Sequence, residues 1–320
     1  MNHIMAVFDE EENYAVKLVD YLNLKEGFPF EAVYFKSIDK MREFSNRQKL
    51  DIALVGEDHI DSILEFMPNE QLIILSKNGV QYEESRKSIY KYQSCENVIR
   101  EILTMMAESN SGNKMVARKN NLQIIGFYSP IKRIRQTTSA LIMGELLSRK
   151  DRTLYLNMES NSGLMDTLHL QFRKDMSDLL YHIQNGKSGI QYLLGGMTEK
   201  RNGLDMLPPM MCQLDLISIQ KEDWITLFSE LEKYSDYKYL ILDISDGIQG
   251  LYEILRQCSR IYTLIETDET AKAKLMQYEK TLQISQYEDI IVKTRKCSLP
   301  EREKNTLDYY KAIIQEDFNV

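Results

Sequence analysis

A chain of 320 residues is long for one core and comfortable for two domains. A hydrophobic share of 43% and a charged share of 28% are those of soluble globular protein. No apolar run is long enough to span a bilayer and no secretory leader is read after Met1, so a cytoplasmic protein is expected. The net charge of −8 excludes a general nucleic-acid binder, although nine basic residues against two acidic ones lie between Lys114 and Arg152.

Cys95, Cys212, Cys258 and Cys297 are scattered, without a CxxC pair or a histidine at ligand spacing. They are expected to be reduced, buried thiols rather than a zinc site or a disulfide framework.

In chain order, residues 4–8, 30–35, 52–55, 72–75 and 88–90 read as short apolar strands bounded by polar turns. Residues 13–24 place Val16, Leu18, Val19 and Leu22 largely on one helical face, and residues 95–106 do the same with Val98, Ile99, Ile102 and Leu103. Five such βα units predict a parallel sheet covered by helices. Residues 108–114 are polar and rich in breakers, which reads as a linker. The alternation then restarts. Strands are predicted at 122–128, 153–157, 204–208, 237–243 and 261–265, and helices at 138–149, 176–184, 188–194, 224–234, 248–256 and 270–282. The expected architecture is α/β, with two doubly wound parallel-sheet domains: residues 1–108, a linker at 109–120, and residues 121–320.

The first domain resembles the response-regulator receiver (flavodoxin-like) fold. Asp9, Glu10 and Glu11 follow the first strand, Ser76 ends the fourth and Lys91 the fifth, as that family requires. The aspartate that should end the third strand is replaced by Gly56, which offers no carboxylate nucleophile. The resemblance implies a pseudo-receiver used for protein contacts. Read without it, residues 9–12 are a charged first helical turn.

The second domain turns on one loop. Residues 122–140 provide a strand, a loop and a Thr-Thr pair opening a helix, the order a phosphate loop needs. They resemble the deviant Walker A of MinD/ParA ATPases, Lys-Gly-Gly-x-Gly-Lys-Thr-Thr, in eroded form. Ile131 stands for the signature lysine, Lys132, Arg133 and Arg135 for the three glycines, and Gln136 for the phosphate-binding lysine; only Thr137 and Thr138 survive. Asn157 and Glu159 fall where that family carries paired aspartates, and Asp243 ends the strand that resembles Walker B. With its domain order, the chain resembles TadZ/CpaE-like pilus-assembly proteins, which pair an atypical receiver with a MinD/ParA-like P-loop domain.

That resemblance implies an assembly or positioning factor of a Tad/Flp-type (type IV) pilus secretion system. It implies a homodimer, pilus machinery proteins as partners, and recruitment to a cell pole or the inner face of the membrane. No catalytic residue is assigned, because a neutral Gln136 cannot offset charge on a transferring phosphoryl group. Lys132, Arg133, Arg135, Gln136, Thr137, Thr138, Asn157, Glu159 and Asp243 are the candidate nucleotide contacts, with Thr137 and Asp243 as metal ligands only if Mg-nucleotide is retained. The cofactor is therefore none, or ATP with Mg²⁺. Left-handed backbone costs an L-residue about 1–2 kcal/mol, so the substituted loop is expected to have changed shape. Blander readings stand beside these: Thr137 or Thr138 as an N-cap, Asp243 as a turn cap, Asn157 and Glu159 as surface polar residues. The alternative function is an active MinD/ParA-like ATPase switch, for pilus machinery or DNA, that has moved its phosphate contacts onto basic side chains.

Overall fold

A computed structural model of the chain describes residues 3–25, 28–79, 86–108, 121–132, 135–169, 174–186, 189–301 and 305–318. The segment read as a linker, 109–120, and Arg133 lie outside the described residues. The chain divides into two compact units, one of Met1–Lys114 with Gln191–Gly196, the other of Met115–Ile190 with Met197–Val320.

The first unit runs β1 (His3–Phe8), α1 (Glu12–Leu24), β2 (Phe30–Tyr34), α2 (Ile38–Ser45), β3 (Ile52–Gly56), α3 (Ile60–Leu64), β4 (Leu72–Ser76), β5 (Lys87–Tyr90) and α4 (Cys95–Glu108). Its five strands pair in parallel in the order β2-β1-β3-β4-β5. The central strands β3 and β4 are buried along their whole length, as continuous Ile/Leu/Val runs must be in a sheet covered on both faces. Residues 80–85, between β4 and β5, lie outside the described residues. At the open edge, Asn23 of α1 accepts from the Ala32 amide (2.8 Å) and donates to the Ala32 carbonyl (2.9 Å), so a side-chain amide stands in for a missing strand.

The second unit runs β6 (Gln123–Phe127), α5 (Gln136–Leu147), β7 (Thr153–Met158), α6 (Leu164–Leu168), α7 (Met176–Gln184), α8 (Ile190–Met197), β8 (Glu199–Arg201), β9 (Leu204–Leu207), α9 (Gln213–Ser218), α10 (Lys221–Tyr234), β10 (Tyr239–Ile244), α11 (Leu251–Gln257), β11 (Arg260–Leu264), α12 (Glu269–Ile284), α13 (Glu288–Lys293), β12 (Thr294–Cys297) and α14 (Thr306–Phe318), the central part of α8 being grouped with the first unit. Seven strands lie in the order β12-β11-β6-β10-β7-β9-β8, all parallel except the β8–β9 pair. Two edge strands and α14 go beyond the sequence reading. β12 and β8 are short and polar, whereas α14 buries Tyr310, Ile313 and Ile314 against α5 in the core of this unit. No helix among the described residues is long and apolar enough to cross a membrane.

The cysteines are free, but the expectation of burial holds only for Cys258 and Cys297. Cys95 is half-buried and Cys212 is exposed.

Candidate functional site

β6, β10 and β7 are adjacent, so the loops after their carboxyl ends converge, the usual place for a site in an open α/β sheet. Register puts Asp243 beside Phe127 on one side and Asn157 on the other. Tyr155 and Asn157, two apart on β7, share a face and both reach Asp243. Tyr155 Oη donates to Asp243 Oδ2 at 3.0 Å, and Asn157 Nδ2 donates to the same oxygen at 3.2 Å and to Tyr155 Oη at 3.0 Å. Asp243 is fully buried and Asn157 is 1% exposed, which excludes the surface reading of Asn157.

Gln136, the first residue of α5, closes the arrangement. Its Nε2 donates to Asp243 Oδ1 at 2.7 Å and to the Ile244 carbonyl at 3.1 Å. The side chain expected at a phosphate therefore rests on the acid expected at a metal. Both Asp243 oxygens are engaged. Burial raises the Asp243 carboxyl above its ordinary range, and donors on Gln136, Thr137, Tyr155 and Asn157 pull it partly back.

Thr137 lies in the first turn of α5 and its hydroxyl donates to Glu159 Oε2 over 3.4 Å. Glu159 is half-buried, with its amide on Asn157 Oδ1 at 3.1 Å. Burial, and then the charge of Asp243, push the Glu159 carboxyl upward. Thr138 is exposed and joins none of these bonds. Neither threonine is the N-cap of α5; that position is Arg135.

The loop itself departs from expectation. Lys132 (φ 57°) and Arg135 (φ 89°) both adopt left-handed backbone, so two of the three glycine positions keep a glycine-like conformation with L-residues in place. Side-chain contacts explain how. Ser129, buried at the start of the loop, donates to the Leu264 carbonyl at 2.7 Å. Lys132 Nζ pairs with Asp246 at 2.7 Å, both exposed. Arg135 donates from its two terminal nitrogens to the Pro300 carbonyl (2.9 Å) and to Thr306 Oγ1 (2.6 Å).

These residues do not fit an Mg-nucleotide. A cation at Asp243 would have to displace the Gln136 amide, and Gln136 brings no charge to a phosphate. Sequence reasoning missed Tyr155, Pro300 and Thr306. Tyr155 was accessible from its two-residue offset to Asn157. The Arg135 partners, 165 and 171 residues away, carry no local signal.

In the first unit, Lys91, fully buried, meets Asp9 Oδ1 at 3.0 Å and Glu11 Oε1 at 2.8 Å, between the rings of Tyr14 and Tyr92. A Cβ on Gly56 would stand 3.1 Å from Asp9 Oδ2, so the residue beside this acid has no room to spare.

No protein-family model matches the chain, and no curated protein matches it. Solved structures similar to it include a plasmid partition protein from Borrelia burgdorferi, at TM-score 0.47 and 16% identity, covering 63% of this chain and 99% of that one. A ParA family ATPase from Chlorobium tepidum TLS gives TM-score 0.47 and 15% identity over 63% of this chain and 94% of that one. The MinC:MinD cell division protein complex of Aquifex aeolicus gives 0.42 and 13%, over 62% and 78%.

Proposed function

We propose that this chain is a ParA/MinD-like positioning or assembly factor that works without hydrolysing nucleotide. The observation that carries the reading is the 2.7 Å hydrogen bond from Gln136 Nε2 to Asp243 Oδ1. It joins the position expected at a phosphate to the position expected at a metal, with neutral donors around a buried acid. The strand–loop–helix order at 122–147 and the acid ending β10 support the family. The missing charges support loss of turnover.

The finer reading is a TadZ/CpaE-like role in a Tad/Flp-type pilus system. The first unit acts there as a pseudo-receiver contact surface and the second as the homodimerising part, with pilus machinery as partner and a pole or the inner membrane face as destination. Gly56 in place of a phosphoacceptor supports a surface that is not switched by phosphorylation.

Calorimetric titration of the full chain with ATP and with ADP, with and without Mg²⁺, tests the reading. No heat at millimolar nucleotide is expected. Micromolar, Mg²⁺-dependent affinity lost in Asp243→Ala would replace it with the ATPase-switch reading.

A further inference from the structure

Arg135 has no role in the reading above, yet among the described residues of the loop it has the largest positive φ. Its φ of 89° and ψ of 0° belong to glycine, and it holds them as the N-cap of α5. Strain of this kind persists only where surrounding contacts over-determine it, and those contacts are specific. The guanidinium leaves the head of α5 and bonds the Pro300 carbonyl and Thr306 Oγ1. Thr306 is 3% exposed and is the first residue of α14. One side chain thus bridges the loop entering α5 to the connection entering α14. Both acceptors are neutral, and no carboxylate among the described residues pairs with it.

We propose that Arg135 is a built-in latch that ties the head of α14 to the loop with no ligand required. The inference rests on the reading that the loop no longer serves nucleotide, since a loop that opened for ligand at each turnover would have to break both bonds. α14 buries Tyr310, Ile313 and Ile314 in the same core as α5, so the rest of the helix is fixed by packing. Its first turn depends on the latch. Arg135 is a positioning residue in this account.

The test is hydrogen exchange of the full chain, comparing peptides from α14 with peptides from β10. Arg135→Gly is the informative variant, because glycine adopts φ 89° without strain, so loss of the side chain is not compounded by a left-handed penalty. The expected result is exchange about ten-fold faster in the first turns of α14, as for loss of hydrogen bonds to a charged group, with β10 unchanged. Thr306→Val should give a smaller acceleration, and the double variant should match Arg135→Gly alone, the signature of one shared interaction. Arg135→Lys, which keeps a donor but not the fork, should recover part of the protection. Unchanged α14 exchange in Arg135→Gly, equal acceleration in β10, or additive effects of the two substitutions would overturn the latch. Micromolar, Mg²⁺-dependent nucleotide heat lost in Asp243→Ala would instead favour the ATPase-switch reading, a separate measurement on a separate sample.

Discussion

Gln136→Ala is the substitution that probes the filled site most directly. It removes the 2.7 Å bond to a fully buried carboxylate and the 3.1 Å bond to the Ile244 carbonyl. A hydrogen bond to a charged group contributes about 1.5–3 kcal/mol and one to a neutral carbonyl about 0.5–1.5 kcal/mol. Gln136 is only half-buried, so water can take up part of what is lost, and a net loss of about 2 kcal/mol is expected. For a unit of this size that lowers Tm by roughly 4–8 °C. The loss should also depend on pH in one direction. Burial already raises Asp243 above its ordinary value of 3.8, and losing a donor raises it further. A raised acid binds its proton more tightly folded than unfolded. Its stabilising contribution is therefore present below the unfolded value and is lost as pH rises through the folded one. The deficit of Gln136→Ala is thus full near neutrality and shrinks as the buffer is acidified through the folded value of the variant. Thermal denaturation of both proteins across that range measures it. A loss below about 0.5 kcal/mol, or one of constant size at every pH, would refute the contact.

Asn23→Ala uncovers the edge of β2 and leaves the buried Ala32 amide and carbonyl unpaired, so a loss of about 1–3 kcal/mol and self-association visible by light scattering are expected. Lys91→Met strands the Asp9 carboxylate, 1% exposed, and should cost about 3–5 kcal/mol in urea denaturation. Burial lowers the Lys91 ammonium, but its bonds to Glu11 and Asp9 outweigh that and push it up to about 12. The stabilisation from the pair is therefore complete below the ordinary lysine value of 10.5 and fades as pH climbs through about 12, a fade that Lys91→Met should lack. Gly250→Ala places a Cβ 2.3 Å from Lys221 Cβ at a φ of +74°, and a loss of about 3 kcal/mol with displacement of the head of α10 should appear in its thermal transition.

What the sequence discloses depends on how local the physics is. β10 is legible because Tyr239–Ile244 is apolar enough to be buried along its whole length, and β3 and β4 for the same reason. β12 reads Thr-Arg-Lys-Cys and is half-solvated at an edge, so no periodicity marks it. α14 carries a signal in the sequence, with Tyr310, Ile313 and Ile314 at helical spacing among charged residues. At the site, the positions of Gln136, Asn157 and Asp243 were readable from the order of strand ends. Their bonding was not, because it depends on register between strands far apart in the chain.

Conformational penalty and bonding energy together explain how the loop keeps left-handed backbone without glycine. An L-residue at that φ costs about 1–2 kcal/mol. The two guanidinium bonds of Arg135 are worth about 1.5–3 kcal/mol each before entropy, and fixing a long side chain removes up to about 2 kcal/mol. The sum favours the strained conformation only while both acceptors are present. Arg135→Ala, which keeps the strain and deletes the bonds, should therefore be less stable than Arg135→Gly, which deletes both. The gap should be close to the left-handed penalty itself, about 1–2 kcal/mol by urea denaturation. Equal stabilities would mean that the backbone at 135 relaxes out of the left-handed region once the guanidinium is gone. In that case the side chain selects the loop conformation, and the fold around it does not.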